Sequence, residues 1–89
     1  MDNTKENVVK VLRVLIQRES DQANWYIRHG RMESAMQSQT GGLLRALELL
    51  TNQRAFDNCV ESLRYEYLRD LKFGYLQRGE EDKYNIDKL

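Results

Sequence analysis

Apolar residues recur along this chain at the three-and-four spacing of a helix, in three separate phases. In the first, Val8, Leu12, Leu15, Glu19, Ala23 and Tyr26 share one face, which Val11, Ile16 and Ile27 widen. Asn3, with Glu6 three residues on, resembles a capping box, although that motif prefers Ser or Thr at the cap. Arg28, His29 and Gly30 make a stop signal: cationic side chains complement the end of the helix dipole, and glycine takes a left-handed cap. Continuing the same helix would set Met32 and Met36 roughly 80–120° off the first stripe. The pattern therefore ends the first helix near residue 29.

A second phase runs through Met32, Met36, Gln39, Leu43, Leu47 and Leu50, and it survives Gly41-Gly42. Two interior glycines cost a helix about 2 kcal/mol relative to alanine, yet the stripe does not reset across them. The pattern favours a continuous second helix in which the glycines serve packing. The rival is a turn at Thr40-Gly41-Gly42, which would make residues 4–39 and 43–77 the arms of a long two-helix hairpin. The third stripe is Phe56, Val60, Leu63, Tyr67 and Leu71, flanked by Cys59 and Tyr75. Thr51-Asn52 is the natural break before it, since both residue types cap helices. Glu61–Arg64 and Glu66–Arg69 support it weakly as i,i+3 pairs, and Gly74 and Gly79 mark where it loosens. Strand-like alternation, repeats and low-complexity segments are lacking. The expected fold is all-α, a small bundle of three helices over residues 3–29, 31–51 and 52–77.

The middle segment carries a second face. Ser34, Ser38, Gly42 and Ala46 stand at successive i+4 spacings, a ladder of small residues that, with Gly41 beside it, lets another helix approach closely. This predicts a tight helix–helix contact, within the chain or across a two-fold axis. Trp25, Leu44, Leu49, Tyr65 and Leu76 fall outside the main stripes. Together with the ladder they favour a homo-oligomer. Two polar residues interrupt the stripes. Glu19 is expected at the rim or opposite an arginine across the bundle, and Gln39 could fix register between helices.

Composition narrows the functional classes. Eighty-nine residues make one small domain, which buries roughly 60% of the surface its unfolded form exposes, so a partner subunit would help. Fourteen Lys and Arg balance fourteen Asp and Glu, and the lack of a basic excess or a basic face argues against nucleic acid as a ligand. A single cysteine, Cys59, and a single histidine, His29, exclude disulfide scaffolds and His/Cys metal modules. The run from Val8 to Ile16 is broken by Lys10 and Arg13, too short and too interrupted for a signal core or a membrane span. A cytoplasmic setting is expected. After residues 1–78, read as the helical domain, residues 79–89 hold Glu80, Glu81, Asp82 and Asp87 against Lys83 and Lys88 and read as a polar, flexible tail. Tyr84, Ile86 and Leu89 could still dock on a neighbour.

The one chemically dense stretch is Trp25-Tyr26-Ile27-Arg28-His29-Gly30-Arg31. Aromatics able to stack on a ring sit beside three groups able to bind an anion. Trp25, Tyr26, Arg28, His29 and Arg31 are thus candidate ligands for a nucleotide or another small anion, and Arg45 joins them if a turn at Gly41-Gly42 opens a helix toward a phosphate. The competing reading is a helix end finished by basic residues. No catalytic constellation is expected: Cys59 falls on an apolar face as an inert buried thiol, and the pairs Asp57–Glu61 and Glu66–Asp70 look like exposed helix faces. No cofactor or metal is implied. The leading expectation is a non-enzymatic, self-associating helical protein that acts by binding another macromolecule, as a regulator, inhibitor, adaptor or assembly subunit. The alternative is an oligomeric binder of a small anionic ligand. A helix-turn-helix DNA regulator is the weakest reading.

Overall fold

Helix boundaries in this chain follow from how the orphaned backbone groups at each end are satisfied. The computed structural model describes residues 1–74, 76 and 79–88. It contains α1 (Lys5–Arg28), α2 (Met32–Leu49) and α3 (Gln53–Phe73), followed by two 3-10 turns, Glu81–Tyr84 and Ile86–Lys88. The cap of α1 is Thr4, whose Oγ1 accepts from the Asn7 amide at 3.3 Å. Asn3 sits one residue too early, and its own amide donates to Gln53 Oε1, tying the start of the chain to α3. At the other end Gly30 adopts φ +70°. The amides of Gly30 and Arg31 return to the carbonyls of Ile27 and Tyr26, closing α1 with paired reverse hydrogen bonds. Asn52 caps α3, its Oδ1 accepting from the Ala55 amide at 2.8 Å. Gly74, also left-handed, ends that helix, short of the expected residue 77. Tyr75 and Leu89 lie outside the described residues.

The three-helix all-α bundle is as expected, and α2 runs unbroken through Gly41 and Gly42, so the hairpin alternative is overturned. The physical reason is close approach. Gly42 is buried against α1, where a Cβ would lie 2.6 Å from Glu19 Cγ, while Ser38 donates to Glu19 Oε2 at 2.9 Å. The small-residue ladder therefore faces α1 within the chain. Ala35 and Gly42 are buried, and Ser34, Ser38 and Ala46 are half-buried, whereas Gly41 lies just off the contact with open space around it.

That arrangement reverses α2. Its apolar stripe was expected in the core, but Met32, Met36, Leu43, Leu47 and Leu50 are each between 57% and 64% exposed. The core takes Leu49 instead, a residue outside the stripe, together with Val11, Val14 and Leu15 of α1, Phe56, Cys59, Val60 and Leu63 of α3, and Ile86. On α1 the buried face is likewise rotated toward Val11 and Val14, leaving Ile16 and Ile27 exposed. The C-terminal segment, expected as a flexible tail, packs on the bundle where it is described: Ile86 enters the core and Tyr84 is buried. Two well-spaced apolar side chains suffice to dock it, and Arg64 clamps Asp87 through Nε and Nη2, with the shortest contact at 2.6 Å.

Candidate functional site

The last turn of α1 gathers Trp25, Tyr26 and His29. Trp25 and His29 stand four residues apart, so they share a face, and their rings stack at 3.9 Å between centroids and 20° between planes. Trp25 meets Tyr26 edge-on at 5.4 Å. His29 Nδ1–H donates to the Trp25 carbonyl at 2.7 Å, which finishes the helix end and engages the ring. Arg28 and Arg31 are exposed on either side of Gly30.

Arg45 does not join this group. It belongs to the middle of the bundle, where Nη1 lies 3.3 Å from Glu19 Oε1 and 3.4 Å from Glu66 Oε1. It borders a different recess, of about 360 Å³, with Glu48, Asn52, Arg54 and Cys59. Its role in the ligand hypothesis depended on a turn at Gly41-Gly42, and α2 has none. Glu19 thus answers an arginine across the bundle, one of the two roles expected for it.

Beside Trp25 and Tyr26 opens a second recess of about 540 Å³, lined also by Arg18, Asp21, Arg69, Asp70 and Tyr84. Its chemistry is mixed and largely self-neutralised. Asp70, only 6% exposed, accepts from Arg18 Nη1 at 2.8 Å and from Arg69 at 3.1–3.2 Å. Arg18 Nε also lies 3.0 Å from Glu66 Oε2. Glu66 and Asp70 were read as an exposed face, and the structure corrects this: both turn inward and hold α1 to α3. The signal was present in the spacing, because Asp70 follows Leu63 by seven residues and falls on the same side of the helix.

Asp21, at the mouth of this recess, accepts from the Tyr84 hydroxyl and from Gln17, with Lys83 Nζ 3.5 Å away. Burial alone would raise its pKa. The hydrogen bonds from Tyr84 and Gln17, and then the Lys83 charge, outweigh that and hold the carboxyl below its ordinary value. Tyr84 is pushed up by its burial and by the Asp21 carboxylate. Burial likewise pushes the Cys59 thiol up, only partly offset by the Arg45 guanidinium beside it. A thiol so placed is mostly protonated at neutral pH and weakly nucleophilic.

The outer face of α2 carries five exposed apolar side chains, Met32, Met36, Leu43, Leu47 and Leu50. Leu43 and Ala46 line a shallow groove with Ile16 of α1, joining the α2 stripe to an exposed apolar residue on the neighbouring helix. No family model, curated protein or solved structure matches the chain. Among the described residues no helix is long and apolar enough to cross a membrane.

Proposed function

We propose that this chain is a non-enzymatic, self-associating helical interaction protein that acts by binding another macromolecule. The observation carrying this reading is the outer face of α2, five large apolar side chains in helical register with Ile16 beside them, all exposed. Single apolar residues on a surface need no explanation, but a contiguous stripe of them marks a binding face. The buried charged groups fit a structural role. Asp70 is held between two arginines, and Glu19 and Glu66 share Arg45. The anionic-ligand alternative draws less support, because Arg18 and Arg69 face Asp70 and Arg45 lies apart from Trp25.

A photo-crosslinking side chain at position 47, set against the same side chain at position 68 on α3, tests the reading in cells. Leu47 and Leu68 are comparably exposed. Macromolecular adducts from position 47 but not from position 68 are the expected result. Equal yields from both positions, or none from 47, would overturn it.

A further inference from the structure

We infer that the occupant of the α2 face is a second copy of the same face, so that two α2 helices cross near Gln39 in a two-fold dimer. This inference rests on the self-association in the reading above and names the face that carries it. The first argument is area. The exposed parts of Ile16, Met32, Met36, Leu43, Leu47 and Leu50 amount to on the order of 700 Å², and a stable interface of standard size takes about 800 Å² from each side.

The second argument is the pattern. Met36, Leu43 and Leu50 stand seven residues apart, Met32 and Gln39 interleave with them at the same interval, and Leu47 lies four residues beyond Leu43 on the same side. This is the seam of a helix that packs lengthwise on another helix. The same interval on the partner helix lets the two sets of side chains interdigitate.

The third argument is polarity. A two-fold axis sets a patch against itself, so a charged stripe would meet its own sign. This stripe carries no ionisable group. Glu33 and Glu48 lie to one side of it, and Arg45, the one cation within α2, turns inward to Glu19 and Glu66. The single polar member, Gln39, lies near the middle of the stripe. Against a wholly apolar partner its amide would lose water and gain nothing. At a two-fold crossing it meets its own counterpart, and each amide offers the other both a donor and an acceptor.

Sedimentation equilibrium on the intact chain, over the micromolar to millimolar range, tests this. The expected result is a concentration-dependent rise from 10.6 kDa toward twice that mass. Leu43→Glu with Leu47→Glu should weaken association by roughly a hundredfold or more. Its helical circular dichroism should stay native, since both positions are exposed. Leu68→Glu on α3 should leave the mass unchanged from that of the unaltered chain. Under mild oxidation Gln39→Cys should give a disulfide-linked pair, and Leu68→Cys should not.

A monomer throughout the range would overturn the inference, as would a dimer indifferent to the Leu43→Glu, Leu47→Glu pair. If position 47 still crosslinks to a different macromolecule in cells, the binding of another macromolecule stands and the self-association is lost. If it crosslinks to nothing, both fail.

Discussion

A methyl group added at Gly42 would sit 2.6 Å from Glu19 Cγ and 3.1 Å from its Cβ, whereas one added at Gly41 would meet nothing within 4 Å. Glu19 cannot readily swing aside, because Ser38 and Arg45 hold its carboxylate. Gly41→Ala should therefore stabilise the chain by about 0.5–1 kcal/mol through reduced freedom of the unfolded state. Gly42→Ala gains the same term but overpacks a tight contact at a cost of about 1–3 kcal/mol, for a net loss of up to about 2.5 kcal/mol. Urea midpoints of the two variants, measured side by side, check the opposite signs; equal stabilisation would mean that α1 and α2 are not in such close contact. Asp70 supplies a second test at this scale. Asp70→Asn removes the charge shared by Arg18 and Arg69 in a buried setting and should cost about 2–3 kcal/mol. Glu61→Gln, on the exposed side of the same helix, should fall within about 0.5 kcal/mol of the unaltered chain. Similar losses for both would show that the inward arrangement of Asp70 contributes little.

Among the elements, the C-terminal segment is held by Ile86 and Tyr84 and by two carboxylates, Asp21 and Asp87, whose pKa values are both lowered. Asp87 lies below its ordinary pKa chiefly because Arg64 hydrogen-bonds it, and Asp21 is lowered by Tyr84, Gln17 and Lys83 against the effect of burial. Both folded-state values lie below the reference of 3.8. Their stabilisation is thus fully present above about pH 4 and is lost as pH falls through the lower folded values. Hydrogen-exchange protection over residues 81–88 should fall on acidification before that of α1 and α3, and Asp21→Asn with Asp87→Asn should blunt the pH dependence. Uniform loss of protection across the chain would contradict this.

The same segment marks where the sequence is a poor guide. Helix number and approximate ends are legible because Asn52, Gly30 and Gly74 act locally, through caps and left-handed turns. The side of α2 that faces inward is not legible in that way. A stripe of Met and Leu registers as apolar whether or not anything covers it, while α1 comes close enough that Gly42, Ala35 and Leu49 are what α2 buries. Ile86 is equally quiet, one apolar residue among charges whose destination depends on a long-range fit. The candidate site divides along the same line. The Trp25–His29 cluster follows from an i,i+4 spacing, but the place of Arg45 depends on whether Gly41-Gly42 bends the chain.

At the scale of the molecule, extents of 38 × 27 × 17 Å describe a thin, elongated bundle. Leu49 is the one large side chain that α2 buries in the core, with the small Ala35 buried and Ala46 packed beside it, while the stripe of the same helix stays in solvent. Burying that stripe between two copies would couple folding to concentration, because whatever binds only the native state stabilises it by mass action. For a dimer, a tenfold rise in protein concentration then raises the unfolding temperature by about 3–5 °C in a domain of this size. Scans at several concentrations should show that slope for the unaltered chain and none for the chain carrying Leu43→Glu and Leu47→Glu. The two should converge at the lowest concentrations, where both are monomers and the exposed substitutions touch nothing in the core. A persistent gap there would mean that Leu43 and Leu47 support the monomer itself, and a flat response in the unaltered chain would leave the face without its second copy.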